Sequence, residues 1–230
     1  MCADKLVIRS SAVNYDGRCT VAFEQLSLRE AMGRSAQASF GACDPLVDKW
    51  MAKRAAHSSM WEGRYFRTHQ VATQEYLAGE LASPGRLRTL LASHSKPGGG
   101  SAWLDARHLR LETSGHVAFE IGSGTREVIH RIVGKIQDAY EALADVRSRA
   151  NCLKLFMSNS ISEGGVGHVV GAHIPGPRAE GIYFFDANIG EFWFPDATHL
   201  GNWMEQSWIA LYLEPDRDFH FYKCHAYVRT

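Results

Sequence analysis

The sequence has no C-x-x-C pair, no apolar run long enough to cross a bilayer, no net charge and no block of basic residues. Each absence removes a class of function. The five cysteines, Cys2, Cys19, Cys43, Cys152 and Cys224, are an odd number in a chain too large to depend on covalent staples. That favours free thiols, either in a reducing compartment or in a secreted protein that works inside another cell. The most apolar stretches, residues 153–157 and 182–185, fall far short of the roughly 20 residues of a spanning helix. The opening Met-Cys-Ala-Asp-Lys lacks the basic region and apolar core of a Sec signal peptide. A soluble protein with no transmembrane segment is expected. Lys and Arg number 25 against 25 Asp and Glu, and no basic run exceeds Lys53-Arg54. No electrostatic footprint for a nucleic acid or an anionic membrane is present, so neither is expected as a partner.

What is there is enough apolar sequence for one sizeable core: 230 residues, 45% hydrophobic. Residues 1–230 read as a single domain. Its first part is helical. Within residues 28–57, Leu46, Val47, Trp50 and Met51 form one stripe, with Asp48, Lys49 and Lys53 elsewhere on the wheel. A helix should begin close to Cys43, because Asp44-Pro45 suits a first turn, where proline's missing N–H has no intrahelical partner to lose. A second helix is expected over residues 75–92, broken by Ser95-Lys96-Pro97-Gly98-Gly99-Gly100-Ser101, which reads as a surface loop or lobe junction. Val128, Ile129, Ile132, Val133, Ile136, Tyr140, Leu143 and Val146 recur at helical steps and mark a long amphipathic helix over residues 125–149. After Asn151 come short apolar or alternating runs at 153–157, 168–174, 181–186, 191–194, 209–213 and 219–228. A helical part over about 20–150 followed by an antiparallel sheet over about 151–230 is an α+β architecture.

Three pieces of sequence carry chemistry. Gly41-Ala42-Cys43 enters a helix, where unpaired N–H groups and the positive end of the macrodipole favour thiolate over thiol. The adjacent Asp44 opposes this, since a nearby carboxylate disfavours the anion. Gly164-Gly165-Val166-Gly167-His168 delivers an imidazole into the start of an apolar strand, from which it can reach a nucleophile. Tyr183-Phe184-Phe185-Asp186 is an aromatic strand ending in a carboxylate, which is costly to bury unless a group such as an imidazole N–H pairs with it. Each has a plainer reading: a small buried thiol, a core histidine bonded to a carbonyl, and an Asx turn leading into Asn188-Ile189-Gly190. Together they have the order of papain-like enzymes: Cys on an early helix, His over a hundred residues later, and an acid on the next strand. Gln37 lies six residues before Cys43, where those enzymes carry a glutamine whose amide completes the oxyanion hole with the cysteine N–H.

The strings at 41–51 (Gly-Ala-Cys-Asp-Pro-Leu-Val-Asp-Lys-Trp-Met), 167–170 (Gly-His-Val-Val) and 184–192 (Phe-Phe-Asp-Ala-Asn-Ile-Gly-Glu-Phe) resemble the YopT-like (YopT/AvrPphB) family of effector cysteine proteases. The resemblance spans roughly residues 37–194, with nothing matched between the first and second motifs. It departs from the family at Ala187, where proline is common, and at Asp44-Pro45, where small or apolar residues are usual. It implies a papain-like fold and a catalytic triad of Cys43, His168 and Asp186 that needs no cofactor or metal. It further implies type III secretion into a host cell and cleavage of a host protein there. Family targets include prenylated Rho-type GTPases and plant kinases, and some members cleave themselves first.

Other residues fit less well. His220, Cys224 and His225 match no zinc spacing. His168 and His173 point to opposite faces of one strand. Asp196 lies beyond Pro195 in an apparent loop, and Cys152 is too close to His168 for papain-type order. Cys19 precedes Thr-Val-Ala-Phe, either strand or helix. Two other functions share the residues: transglutaminase-like amide transfer or deamidation, in which nucleophile and base lie closer in sequence, and a non-catalytic binding module on the same scaffold.

Overall fold

A computed structural model describes residues 4–25, 42–58, 60–61, 89–90, 92–94, 99–112, 120–145, 149, 151–160, 167–175, 181–213 and 218–230. Helix α1 (Lys5–Ser11), capped by the Asp4 carboxylate on Leu6 N, runs into a 3₁₀ turn (Ala12–Tyr15) and strand β1 (Arg18–Ala22). Helix α2 (Cys43–Ala55) starts at the cysteine, with Pro45 in its first turn. Helix α3 (Gly99–Asp105), strand β2 (Leu109–Leu111), strand β3 (Glu120–Ile121) and helix α4 (Thr125–Ala144) follow. The second part supplies β4 (Cys152–Ser158), β5 (Gly167–His173), β6 (Ile182–Asp186), β7 (Gly190–Phe194), helix α5 (Ala197–Gln206), a 3₁₀ turn (Trp208–Leu211) and β8 (Phe221–Arg229).

The strands form one antiparallel sheet in the order β1-β7-β6-β5-β4-β8-β2, with β3 also on β8. The α+β architecture is as the sequence pattern requires, and the sheet also takes three strands from the first part of the chain. One face is covered by α4 and α5, whose Ile129, Ile132, Ile136, Leu200 and Trp203 pack on Leu153, Leu155, Val170 and Phe184. The other is covered by α2, whose Leu46, Val47, Trp50 and Met51 are fully buried with Val169 and Phe185. At roughly 2 kcal/mol for each such side chain, that stripe is the main force seating α2. Gly171 makes the close approach possible: a Cβ there would lie 2.9 Å from Trp50 and 3.1 Å from Val47. The helix is further tied to β7 by the buried Glu191, which accepts from Trp50 Nε1 at 2.6 Å, Arg54 Nε at 3.1 Å and Thr20 Oγ1 at 2.7 Å, and pairs with the Arg54 guanidinium.

Four readings are refined or corrected. Asp48 and Lys49, elsewhere on the wheel of α2 from its apolar stripe, are buried too, 0% and 5% exposed, because His94, and Trp103 of α3, cover them. Gly99, Gly100 and Ser101 do not extend a loop but open α3, while residues 95–98 lie outside the described set. The run 209–213 is no strand: Trp208–Leu211 is a 3₁₀ turn following α5, a helix that the sequence pattern did not announce. The long helix ends at Ala144 instead of residue 149. Most of the helix expected over 75–92 lies outside the described residues, as does Gln37.

Candidate active site

Helix α2 runs beside β5 in the same sense, so that Cys43 comes to His168, Val47 and Trp50 to Gly171, and Arg54 toward His173. His168 is the second residue of β5, and Asp186 the last of β6. Register pairs Val170 with Asp186, so His168, two positions earlier on the same face, lies diagonally across from the carboxylate. His168 Nε2 donates to Asp186 Oδ1 at 2.8 Å, which leaves Nδ1 for the thiol of Cys43. His168 is 5% exposed, Cys43 5% and Asp186 0%.

The β6–β7 hairpin shapes the acid. Asn188 N donates to Asp186 Oδ1 at 2.8 Å, an Asx turn. Ile189 N closes onto Asp186 O at 3.1 Å. Gly190 follows at φ +125°, where a Cβ would strike the Val21 carbonyl. Asp186 is therefore both a turn former and the partner of an imidazole; the plain reading and the functional one hold together. Its Oδ2 accepts from Trp208 Nε1 at 2.8 Å and from the Tyr212 hydroxyl at 2.6 Å. Every lone pair of the carboxylate is then engaged. Burial alone would raise the Asp186 carboxyl, but the charge and N–H of His168, the Tyr212 hydroxyl and the Asn188 amide hold it below the usual range.

The same balance sets the His168 imidazole. Burial would drive the proton off His168, yet the Asp186 charge and hydrogen bond, with a hydrogen bond and charge from Cys43, push it up to about 10. The imidazolium form therefore prevails at neutral pH. Burial, then Asp186, keeps Tyr212 a phenol that can donate. Its ring stacks on His168 at 5.1 Å and 28°, covering the imidazole, and its hydroxyl also accepts from Asn188 Nδ2 at 3.2 Å. Sequence reasoning missed Trp208 and Tyr212, since the only sign of them was an apolar run that resembled a strand.

The rival residues take other positions. Asp196 caps α5, accepting from His199 N at 2.9 Å. Cys19 lies on β1 and Cys224 on β8, each thiol pushed up to about 12, chiefly by burial. Cys152 is fully buried and its thiol is driven higher by burial. It lies opposite His173, whose ring nitrogens have no hydrogen-bond partner. Among the described residues no group of three or more His, Cys, Asp or Glu could hold a metal ion, and no helix is long and apolar enough to cross a membrane.

The α+β arrangement, with helix α2 against one face of an antiparallel sheet that carries His168 and Asp186, is a papain-like fold. Within that class the chain is similar to the avirulence protein AvrPphB of Pseudomonas, at 12% identity and a TM-score of 0.53 over 94% of this chain and 99% of that one. A YopT domain of the Pasteurella multocida PfhB2 toxin aligns over 87% of this chain and 89% of that one at 17% identity, but its TM-score of 0.28 carries no argument. No family model matches the sequence, and no curated protein matches it.

Proposed function

We propose that the chain is a single catalytic domain, a cysteine endopeptidase acting through Cys43, His168 and Asp186, and that it works as a secreted effector on a protein of a host cell. The observation that carries the catalytic reading is an imidazole held between the thiol of Cys43 and a fully buried, fully hydrogen-bonded carboxylate. In the reacting form the proton sits on His168 and Cys43 is the thiolate. The thiolate attacks a peptide carbonyl carbon; the Cys43 N–H and Gln37 hold the developing oxyanion; His168 gives its proton to the leaving amine. Neutral His168 then takes a proton from water, which hydrolyses the thioester, and Asp186 stabilises the imidazolium whenever it forms. The effector part rests on the motif resemblance and on the fold shared with a bacterial avirulence protein.

The test is incubation of the purified protein with eukaryotic cell lysate, followed by mass spectrometry of newly formed protein N-termini, with Cys43→Ala in parallel. New termini formed by the wild type alone support the protease. Ammonia release with no new termini would replace it with deamidation, and the absence of both would favour a binding module.

A further inference from the structure

Behind the nucleophile lies a buried cluster of charges that the mechanism above does not use. Lys154 sits in the middle of β4, 4% exposed, within an otherwise apolar run. Its Nζ is 2.5 Å from Asp44 Oδ1 and 2.6 Å from Asp48 Oδ1. The other Asp48 oxygen is 3.0 Å from His94 Nε2. His94 Nδ1 faces the Leu90 carbonyl at 2.9 Å and Ser93 Oγ at 2.9 Å, and that hydroxyl spends its own hydrogen on Leu90 O. Asp48 thus has two partners, His94 and Lys154, whereas the partner of Asp44 in this cluster is Lys154. The fit is tight: a Cβ at Gly100 would come within 2.9 Å of Asp48 Oδ2.

Isolating an ammonium from water costs several kcal/mol, and two carboxylates, Asp48 and Asp44, are set against it. Of the two, Asp44 is bonded directly to Cys43 in the chain, where an unbalanced carboxylate would oppose a thiolate. We propose that Lys154 is a positioning residue for the nucleophile: its ammonium cancels the Asp44 charge beside Cys43 and pins the first turn of α2 to the sheet. Burial would strip the Lys154 proton, but Asp48 and Asp44 hold the group above the ordinary lysine value, so the cation persists across the working range. The titratable and charged groups facing this end of α2 are Asp44, Asp48 and Lys49 on the helix, Lys154 on β4, His168 on β5 and Asp186 on β6. Among the described residues His94, Tyr212 and, on β8, Lys223, His225 and Tyr227 are the others. The Lys154–Asp44 pair can be neutralised at either member without touching the His168–Asp186 pair.

The inference rests on Cys43 being the nucleophile, and the experiment separates the two claims. Iodoacetamide labelling of Cys43 is followed against pH by mass spectrometry, with circular dichroism to verify folding. In Asp48→Asn/Lys154→Met the labelling midpoint should rise by about one pH unit, as expected for an unbalanced neighbouring charge. Adding Asp44→Asn should return it to the wild-type position, a rescue that a merely structural lysine does not predict. An unmoved midpoint in the double variant, or no return in the triple, overturns the proposal. Should the double variant not fold, Asp44→Asn alone decides: the midpoint falls if Lys154 is then unbalanced, and an unchanged midpoint overturns the idea. Wild-type Cys43 that labels no faster than Cys19, or is indifferent to His168→Ala, would sink the nucleophile assignment and this inference with it.

Discussion

The two ends of β5 each set a buried histidine close to a cysteine, and they differ in nearly everything else. At the start, His168 is 5% exposed, touches Cys43 and donates to Asp186; at the end, His173 is 3% exposed, lies across from Cys152 and has no hydrogen-bond partner among the described residues. Burial lowers both imidazoles, but at His168 a carboxylate reverses the outcome to about 10, whereas at His173 burial, reinforced by Arg54 and His57, takes it down to about 3. Equal burial on one strand thus yields an imidazolium in one place and a neutral ring in the other. The third group, not the Cys–His proximity, makes the difference. The helix start at Cys43 adds to it, since Cys152 lies instead on a strand paired on both sides, opposite His173 and Tyr227.

The sharpest way to break the comparison is to remove the base: His168→Ala should abolish turnover and bring Cys43 alkylation at pH 6 down to the rate of Cys152, read by site-resolved mass spectrometry. Asp186→Asn should come next, lowering kcat by about a thousandfold. It should also destabilise the fold by about 2–3 kcal/mol in urea unfolding, because an amide NH₂ must then face donors that the carboxylate accepted. Tyr212→Phe removes one hydrogen bond to that carboxylate and leaves the ring on His168; about 1.5 kcal/mol, or roughly a tenfold fall in kcat, is expected in steady-state assays.

The smallest effect belongs to the other end of the strand. His173→Leu should leave activity unchanged and stabilise the protein by about 1 kcal/mol at pH 8, since it removes an unsatisfied polar ring. The gain should grow as the pH falls. Below its ordinary value of 6.5 the unfolded His173 takes up a proton that the folded ring refuses until about pH 3, so the wild type loses up to ~1.4 kcal/mol per pH unit across that window and the variant does not. A leucine variant with parallel pH dependence would mean that His173 has a proton partner after all.

What the sequence disclosed follows the same division. Cys43, His168 and Asp186 sit at element boundaries, where Asp-Pro, a Gly run and an Asn-Ile-Gly turn mark position in local terms. Their supporting groups do not. Lys154 is hidden within an apolar strand, and Trp208 opens, while Tyr212 directly follows, a 3₁₀ turn that hydrophobic periodicity cannot tell from a strand over so few residues. The burial of Asp48 and Lys49 was out of reach for a related reason: a helix covered on both sides has no exposed face for its charges, and the cover comes from residues some forty to fifty positions away. Only the tertiary fold makes those charges buried partners.

Strand β8 follows the other described strands in the chain yet lies inside the sheet, between β4 and β2, not at its rim. A chain emerging from the ribosome therefore displays Cys43, His168 and Asp186 well before the strand that pairs with β4, and the Trp208 and Tyr212 donors also trail the carboxylate they bond to. A premature stop before Phe221 would leave a product with Cys43, His168 and Asp186 but without the strand that pairs with β4 along its whole length, so the sheet that sets His168 beside Asp186 would be left open on one side.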